Sequence, residues 1–399
     1  MPYCDSSKYH SNGATIFYRR YGHGPVKVLL IIGLAGTHDS WGPQVKGLTG
    51  TCEPNEEEAA PSGVDGGLGC EDEEGQAAGG IEVCCFDNRG MGCSSIPNKK
   101  SEYSTTIMAK DALALLNHLG WKKAHVFGHS MGGMIACKLA AIAPERLSSL
   151  ALLNVTGGGF ECFPKIDRQM MSLAFRFLKA KTPEQRAAVD LETHYTKEYL
   201  DEYVGSNTRR KILYQDYVKA ISSNGMQSNC GFEGQINACW THKLTSKELE
   251  TIRTSGFLIS VIHGRDDIIA QLDHARKLAE KLYPAARMVE LHGAHLVSHE
   301  RPDEVNQSLM ELIKASKSKV NPLDWSNLPE NRSGWLDFVR SFSLLKQNSD
   351  RTSYLVTAYN LVGKLQLSLL YFFGVFVMGF EHAKNIVIAM KPVRVAASS

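Results

Sequence analysis

The sequence predicts an α/β protein: a doubly wound, mostly parallel sheet with a helical cap inserted after a sheet strand and a helical extension at the C-terminus. Three observations predict it. Uninterrupted runs of Val, Ile and Leu, such as Val28–Ile32, have the composition of strands buried on both faces of a parallel sheet. Segments with apolar residues at helical spacing alternate with these runs, as parallel crossovers require. The stretch 157–255 breaks that alternation with helical patterns and no buried strand run.

Taken in order, residues 15–21 (TIFYRRY) have strand composition and enter the turn cluster Gly22-His23-Gly24-Pro25, so they are expected to open a hairpin. Val28–Ile32, Ile81–Phe86 and His125–Phe127 are the first parallel strands, with a helix over Thr106–Leu119 before the third. A helix over Met131–Ala143, strands over Leu147–Leu153 and Phe257–His263, and a helix over Leu272–Leu282 follow. Strand Arg287–Leu291 and helix Pro302–Lys314 complete the pattern. The chain divides into a first core part over 1–156, a cap over 157–255, a second core part over 256–315, and a linker with an apolar extension over 316–399. Cap helices are expected over Ile166–Ala180 and Lys211–Ile221. Residues 50–80 hold nine acidic side chains and no Lys or Arg, the composition of a disordered surface insertion.

Composition narrows the function classes. An apolar fraction of 43% is enough to bury a core, and a formal charge of +2 with scattered basic residues gives no drive toward nucleic acid. The ten cysteines form no CxxC pair and no zinc spacing, which suits reduced thiols in the cytoplasm. The opening residues lack the basic-then-apolar pattern of a secretory signal, so a secreted protein is not expected. No GxGxxG opens a helix after the first strand, so no dinucleotide is indicated.

The chemistry centres on Gly128-His129-Ser130-Met131-Gly132, between a strand and a helix. In that context a GxSxG turn lifts the serine oxygen off the sheet edge and sets helix N–H groups beside developing negative charge. A serine needs a base, and the base needs an orienting acid. Candidate acids, Asp266 and Asp267, follow one late strand, and candidate bases, His292 and His295, follow the next. Spacing leaves both pairs open. After another strand comes Phe86-Asp87-Asn88-Arg89-Gly90-Met91-Gly92-Cys93-Ser94.

These motifs resemble the α/β-hydrolase superfamily over about residues 15–314, especially the lid-bearing branch of enol-lactonases, aminoacrylate hydrolases and their uncharacterised plant counterparts. The resemblance implies Ser130 as nucleophile, Asp267 as the last position of a GxxD motif, and His295 as the base. His295, Glu300 and Pro302 match a GHxxxxExP pattern in which Ala294 replaces the usual glycine. It implies an oxyanion hole from the Met131 and Leu34 N–H groups, with Ile32 where the family usually has histidine. Asp87 and Arg89 are expected to brace neighbouring loops, and Trp41 to pack at a helix start or line the pocket. Relatives that form alkyl esters carry Asp at the serine position, so Ser130 argues against epoxide hydrolase and haloalkane dehalogenase chemistry.

The expected function is hydrolysis of a carboxylic ester, lactone or related acyl bond in a small, apolar molecule, with no cofactor or metal. The alternatives are a ligand-binding receptor of the same fold with slow hydrolysis, and a lyase such as hydroxynitrile lyase. Cap residues Phe160, Phe163, Met170, Met171, Phe175 and Phe177 are expected either to line the pocket or to pack the cap. The apolar run 365–380 (LQLSLLYFFGVFVMGF) is short for a spanning helix of about 20 residues, and is a candidate membrane contact or packed helix.

Overall fold

The computed structural model describes residues 2–56, 80–165, 167–224 and 227–327. Most of the acidic insertion and the apolar run 365–380 lie outside the described residues. In chain order the elements are β1 (Tyr3–Asp5), β2 (Thr15–Tyr21), β3 (Val26–Ile31), α1 (Gly42–Thr49), β4 (Ile81–Phe86), α2 (Thr105–His118), β5 (Ala124–His129), α3 (Met131–Ile142) and β6 (Leu147–Leu153). A helical segment follows: α4 (Arg168–Lys179), α5 (Pro183–His194), α6 (Lys197–Asp201), a small hairpin of β7 (Tyr203–Val204) and β8 (Asn207–Thr208), α7 (Arg209–Asn224), α8 (Asn229–Thr241) and α9 (Ser246–Thr254). The alternation then resumes with β9 (Leu258–Gly264), α10 (Leu272–Lys281), β10 (Ala286–Leu291), α11 (Val297–Glu300), α12 (Pro302–Lys317) and α13 (Pro322–Ser326).

The large sheet has the order β1-β2-β4-β3-β5-β6-β9-β10, parallel from β4 to β10 and antiparallel at the β1–β2 and β2–β4 pairs. Side chains alternate across its plane, so each strand feeds two cores. Leu29, Ile31, Phe86, Val126, Leu150 and Ile259 join α2 and α3 on one face. Val28, Leu30, Phe127, Leu153 and Ile262 join α1 and α12 on the other. Burial on both faces is the physical reason the strand runs are apolar without alternation.

Three expectations need correction. The turn at 22–25 joins β2 to β3 without pairing them, because β4 lies between the two strands. The hairpin partner of β2 is the short β1, with Cys4 opposite Ile16. Residues 316–327, expected as linker, belong to the core: α12 runs through Lys317, and α13 buries Trp325, whose Nε1 donates to the Ile259 carbonyl at 2.8 Å. An indole that covers strand ends and satisfies a buried carbonyl explains why the chain stays on the fold there. The expected insertion also begins later than Gly50, since the Asn55 N–H and amide donate to the Arg20 and Gly22 carbonyls at the end of β2.

The sheet order reverses between β3 and β5, because the chain goes to β4 on one side of β3 and returns to β5 on the other. In open α/β sheets the crevice beyond the carboxyl ends of such neighbouring strands is the natural ligand position. The loop after β3 and Ser130 after β5 both lie there.

Candidate active site

Ser130 sits between the last residue of β5 and the first of α3 with φ 52° and ψ −122°. A non-glycine residue held there stores about 1–3 kcal/mol of strain, tolerated only when the surroundings enforce it. They do. The Ser130 N–H donates to the Leu153 carbonyl at 2.8 Å, and its own carbonyl accepts from Gly133 N–H at 2.9 Å. A Cβ on Gly128 would lie 2.4 Å from the Gly132 carbonyl oxygen, and one on Gly132 would lie 2.0 Å from that of Ile31. Gly128 therefore lets the turn close on itself, and Gly132 lets it press against the end of β3. Met131 is the first residue of α3, at an end where backbone N–H groups lack helical partners.

Asp267 and His295 come from the loops after β9 and β10, two parallel neighbours. His295 Nδ1–H donates to Asp267 Oδ2 at 2.8 Å, and Asp267 is buried. Its Oδ2 also accepts from the Asn154 amide at 2.7 Å, while Oδ1 accepts from the Ile269 and Ala270 N–H groups at 2.8 and 2.9 Å. Burial by itself pushes the Asp267 carboxyl up, but the adjacent His295 and its hydrogen bond, His263 and the Asn154 amide outweigh it and hold the group at about 2. The carboxylate is thus an ionised acceptor surrounded by donors. Asp266 and His292, the alternatives that spacing left open, pair with each other at 3.0 Å and are half exposed.

The His295 ring lies 4.9 Å, centroid to centroid, from that of His129, the residue before Ser130, and His129 Nε2–H donates to the His295 carbonyl at 2.8 Å. Burial depresses His129 to about 3, so it stands as a neutral donor that fastens the histidine loop to the serine turn. Ala294 fills the usual glycine place without backbone strain, since its φ is not positive. Its N–H donates to Glu300 Oε1 at 3.0 Å. Glu300 also accepts from the N–H and hydroxyl of Thr196 at 3.0 and 2.8 Å, which ties the same loop to the N-cap of α6.

After β3 the chain passes Ser130 closely: a Cβ on Gly33 would meet Ser130 Cβ at 3.0 Å. This puts Leu34 in the loop beside the serine. Ile32 is buried in the core, and its carbonyl accepts from the Asn88 amide at 2.8 Å. The Ala35 N–H donates to the side chain of Gln235 at 2.9 Å. Asp87 accepts from His38 N–H and Nδ1–H, both at 2.8 Å, and from Cys93 N–H at 2.9 Å. Arg89 forms a bidentate pair with Asp111 at 2.6 and 2.7 Å and donates to the Glu102 and Asn12 carbonyls. Both side chains brace loops, each through its own partners. Trp41 is buried, edge-on to His129 at 6.5 Å.

Between the helical cap and the core a cavity of about 200 Å³ lies where Lys165, Gln169 and Met170 face Asp267, Ile268 and Gln271. Of the apolar cap residues singled out in the sequence, Met170 lines this cavity, and Phe177 packs on Phe232 and under Arg186. Phe160, Phe163, Met171 and Phe175 are exposed instead. Helical spacing reported that α4 is amphipathic but not how little of its apolar arc the cap covers. Among the described residues no group of His, Cys, Asp and Glu is arranged to hold a metal, and no helix is long and apolar enough to cross a membrane.

Sequence reasoning missed Asn154 and Gln235. No sequence pattern marked Asn154, which follows β6 with a positive φ of 47° and donates its amide to Asp267. Gln235 lies in the cap, 200 positions from its Ala35 partner, and no local pattern marks it.

The family model for the alpha/beta hydrolase fold matches residues 27–302. A protein of Azorhizobium caulinodans provisionally named a carbamate hydrolase is 25% identical over 313 residues, which cover 78% of this chain and 97% of the relative. A Mycobacterium tuberculosis protein provisionally named a non-heme bromoperoxidase is 26% identical over 244 residues, covering 60% and 86%. The enol-lactonase from Burkholderia xenovorans superposes with a TM-score of 0.56 at 21% identity, covering 75% of this chain and 97% of that one, a likeness of fold.

Proposed function

This chain belongs to the α/β-hydrolase family, and we propose that it is a serine hydrolase cleaving a carboxylic ester, lactone or related acyl bond through Ser130, His295 and Asp267. The observation that carries the reading is the 2.8 Å contact between His295 Nδ1 and Asp267 Oδ2, on a loop whose His295 carbonyl is bound by His129, the residue before a serine held at φ 52°. With Nδ1–H committed to Asp267, His295 keeps Nε2 as its proton acceptor. In the first step Nε2 takes the Ser130 proton as Oγ attacks the acyl carbon, and the Leu34 and Met131 N–H groups stabilise the oxyanion. His295 then protonates the leaving oxygen, and the acyl-enzyme is hydrolysed by water that His295 deprotonates in turn. The provisional name of one relative, a carbamate hydrolase, supports attack on a polarised carbonyl.

Ser130→Ala tests this directly. The wild-type chain should react with a fluorophosphonate probe and turn over members of an ester and lactone panel, and the alanine variant should do neither; undiminished labelling of the variant ends the proposal. No contact among the described residues favours the receptor or lyase readings over hydrolysis. Slow, near-single-turnover kinetics with ligand-dependent capture of a partner would replace the enzyme reading with the receptor one. We further propose a cytoplasmic protein, whose apolar run 365–380 is a candidate either for a membrane contact or for a packed helix. Carbonate-resistant sedimentation that is lost on truncation after Asp350 supports that contact, and complete release of the full chain refutes it.

A further inference from the structure

We propose that Gln235, a buried glutamine of cap helix α8, is a positioning residue for the oxyanion hole: it holds in place the strained turn of residues 33–36, which carries the Leu34 N–H past Ser130. The inference rests on the acyl-transfer reading of Ser130.

The argument starts from the backbone. Gly33, Leu34, Ala35 and Gly36 form a turn closed by the Gly36 N–H donating to the Gly33 carbonyl at 3.3 Å. Ala35, its third residue, has φ 59°, and Leu34 before it does not have positive φ, which is the type II pattern. Glycine takes that position freely, whereas alanine meets a steric cost. Rotating the Leu34–Ala35 peptide into a type I turn would relieve Ala35, and would carry its N–H to the other side. Something must hold the strained form. Gln235 Oε1 does so by accepting the Ala35 N–H at 2.9 Å.

The glutamine is itself held. It is fully buried, its Nε2 donates to the Arg89 carbonyl at 3.0 Å, and its Oε1 also accepts from Gln227 Nε2 at 3.0 Å. Reversing the amide would face its NH2 toward two donors and its oxygen toward a carbonyl, so the network fixes its orientation. The approach of α8 depends on small residues. A Cβ on Gly231 would lie 2.1 Å from the Gly90 carbonyl oxygen, and one on Gly234 would lie 2.4 Å from the Tyr103 ring. Gly231, Gly234, Gln235 and Ala238 are the buried residues of the helix, spaced along one face. They set α8 down on the loops after β3 and β4, with Gln235 at the junction.

This arrangement answers the departure at position 32. Ile32 brings no polar side chain to the loop, and the polar support comes from Asn88 below and Gln235 above. The cap is therefore part of the catalytic apparatus.

The test uses the full chain and an ester or lactone that the wild type turns over. Gln235→Leu removes acceptor and donor at similar volume. Gln235→Asn keeps the amide but is too short to span Ala35 and Arg89. Both should lower kcat by about 10- to 100-fold with KM within two-fold, and slow fluorophosphonate labelling in parallel. Gln235→Glu, which keeps an acceptor for the Ala35 N–H but turns an oxygen on the Arg89 carbonyl, should lose less than the leucine form without reaching the wild-type rate. A kcat within two-fold of wild type in either folded variant overturns the inference, as does a rise in KM at constant kcat, the mark of altered packing alone. Should the leucine form not fold, the asparagine form decides. Failure of the wild type to label at Ser130 would instead refute the serine hydrolase reading, so the two failures are distinguishable.

Discussion

Replacing Asp267 by asparagine tests the candidate triad at its most constrained point. The four groups around this carboxylate, the Asn154 amide, His295 Nδ1–H and the Ile269 and Ala270 N–H groups, are all donors within 2.9 Å. An asparagine has one accepting end and one donating end. If its oxygen faces the two backbone N–H groups, its NH2 meets Asn154 and His295. The imidazole can then satisfy it only by accepting at Nδ1, which moves the ring proton to Nε2 and leaves no acceptor for the Ser130 proton. If the amide is reversed, two buried backbone N–H groups face an NH2 and the loop after β9 shifts. Loss of the correct tautomer costs about 10⁴ in kcat in an enzyme built this way, or about 5 kcal/mol of transition-state stabilisation. Asp267→Asn should therefore lose about that factor in steady-state ester hydrolysis, with KM nearly unchanged. Asp266→Asn, in a half-exposed pair with His292, should stay within two-fold. Equal losses in the two variants, or a loss under 10-fold for Asp267→Asn, would refute the assignment of the acid and the tautomer argument with it.

Asn154→Ala removes a charge-assisted bond to Asp267 and places alanine at φ 47°, where asparagine is better tolerated. A loss of about 2–4 kcal/mol is expected, seen as a fall of several degrees in Tm, with kcat reduced about 10-fold; an unchanged melting curve would contradict the support assigned to Asn154. Stability should also respond to acid. His125, His129 and His242 are buried, and burial first of all depresses them to about 4, 3 and 3. An unfolded histidine takes up its proton near pH 6.5 and these folded ones do not, so the unfolded state binds more protons throughout the window between. Stability must fall as the pH is lowered from about 6.5 toward 4, each residue adding up to about 1.4 kcal/mol per pH unit to the slope. A Tm flat across that range would be incompatible with neutral buried rings.

What was legible in the sequence is what is local. The elbow is written in five consecutive residues because the backbone at Ser130 requires glycines within two positions on either side. The parallel strands announce themselves because burial on both faces demands unbroken apolar runs. Asp267 and Asp266 are adjacent and chemically identical, so spacing could not separate them; the family pattern did so, and in the structure Asp267 meets His295 while Asp266 meets His292. Partner choice over distance was not legible. The turn at 22–25 correctly marked a reversal, yet β2 pairs with β4, some sixty residues on, because β4 occupies the place beside β3. Asn154 and Gln235 act on groups 113 and 200 positions away. Nothing in a window of sequence distinguishes them from any other amide.

The two cap attachments have a common consequence for how substrate preference changes in this chain. Thr196 binds Glu300, which holds the N–H of Ala294 next to His295, and Gln235 binds Ala35 next to Leu34. Each joins a cap helix to a loop bearing a candidate catalytic group, by hydrogen bonds that are buried at Glu300 and part-buried at Ala35 and are costly to leave unpaired. A substitution that reshapes the pocket by moving α6 or α8 therefore also moves the base or the oxyanion donor. Changes confined to α4, which is mostly exposed and lines the cavity through Met170, escape that coupling. On the proposal that the cavity beside Asp267 receives the acyl group, selectivity should be altered at low cost in kcat by substitutions around Gln169 and Met170, and at high cost by substitutions around Thr196 and Gln235. A panel of esters assayed against both sets separates the two classes, and an equal loss of kcat from both would show that the cap acts as one rigid unit.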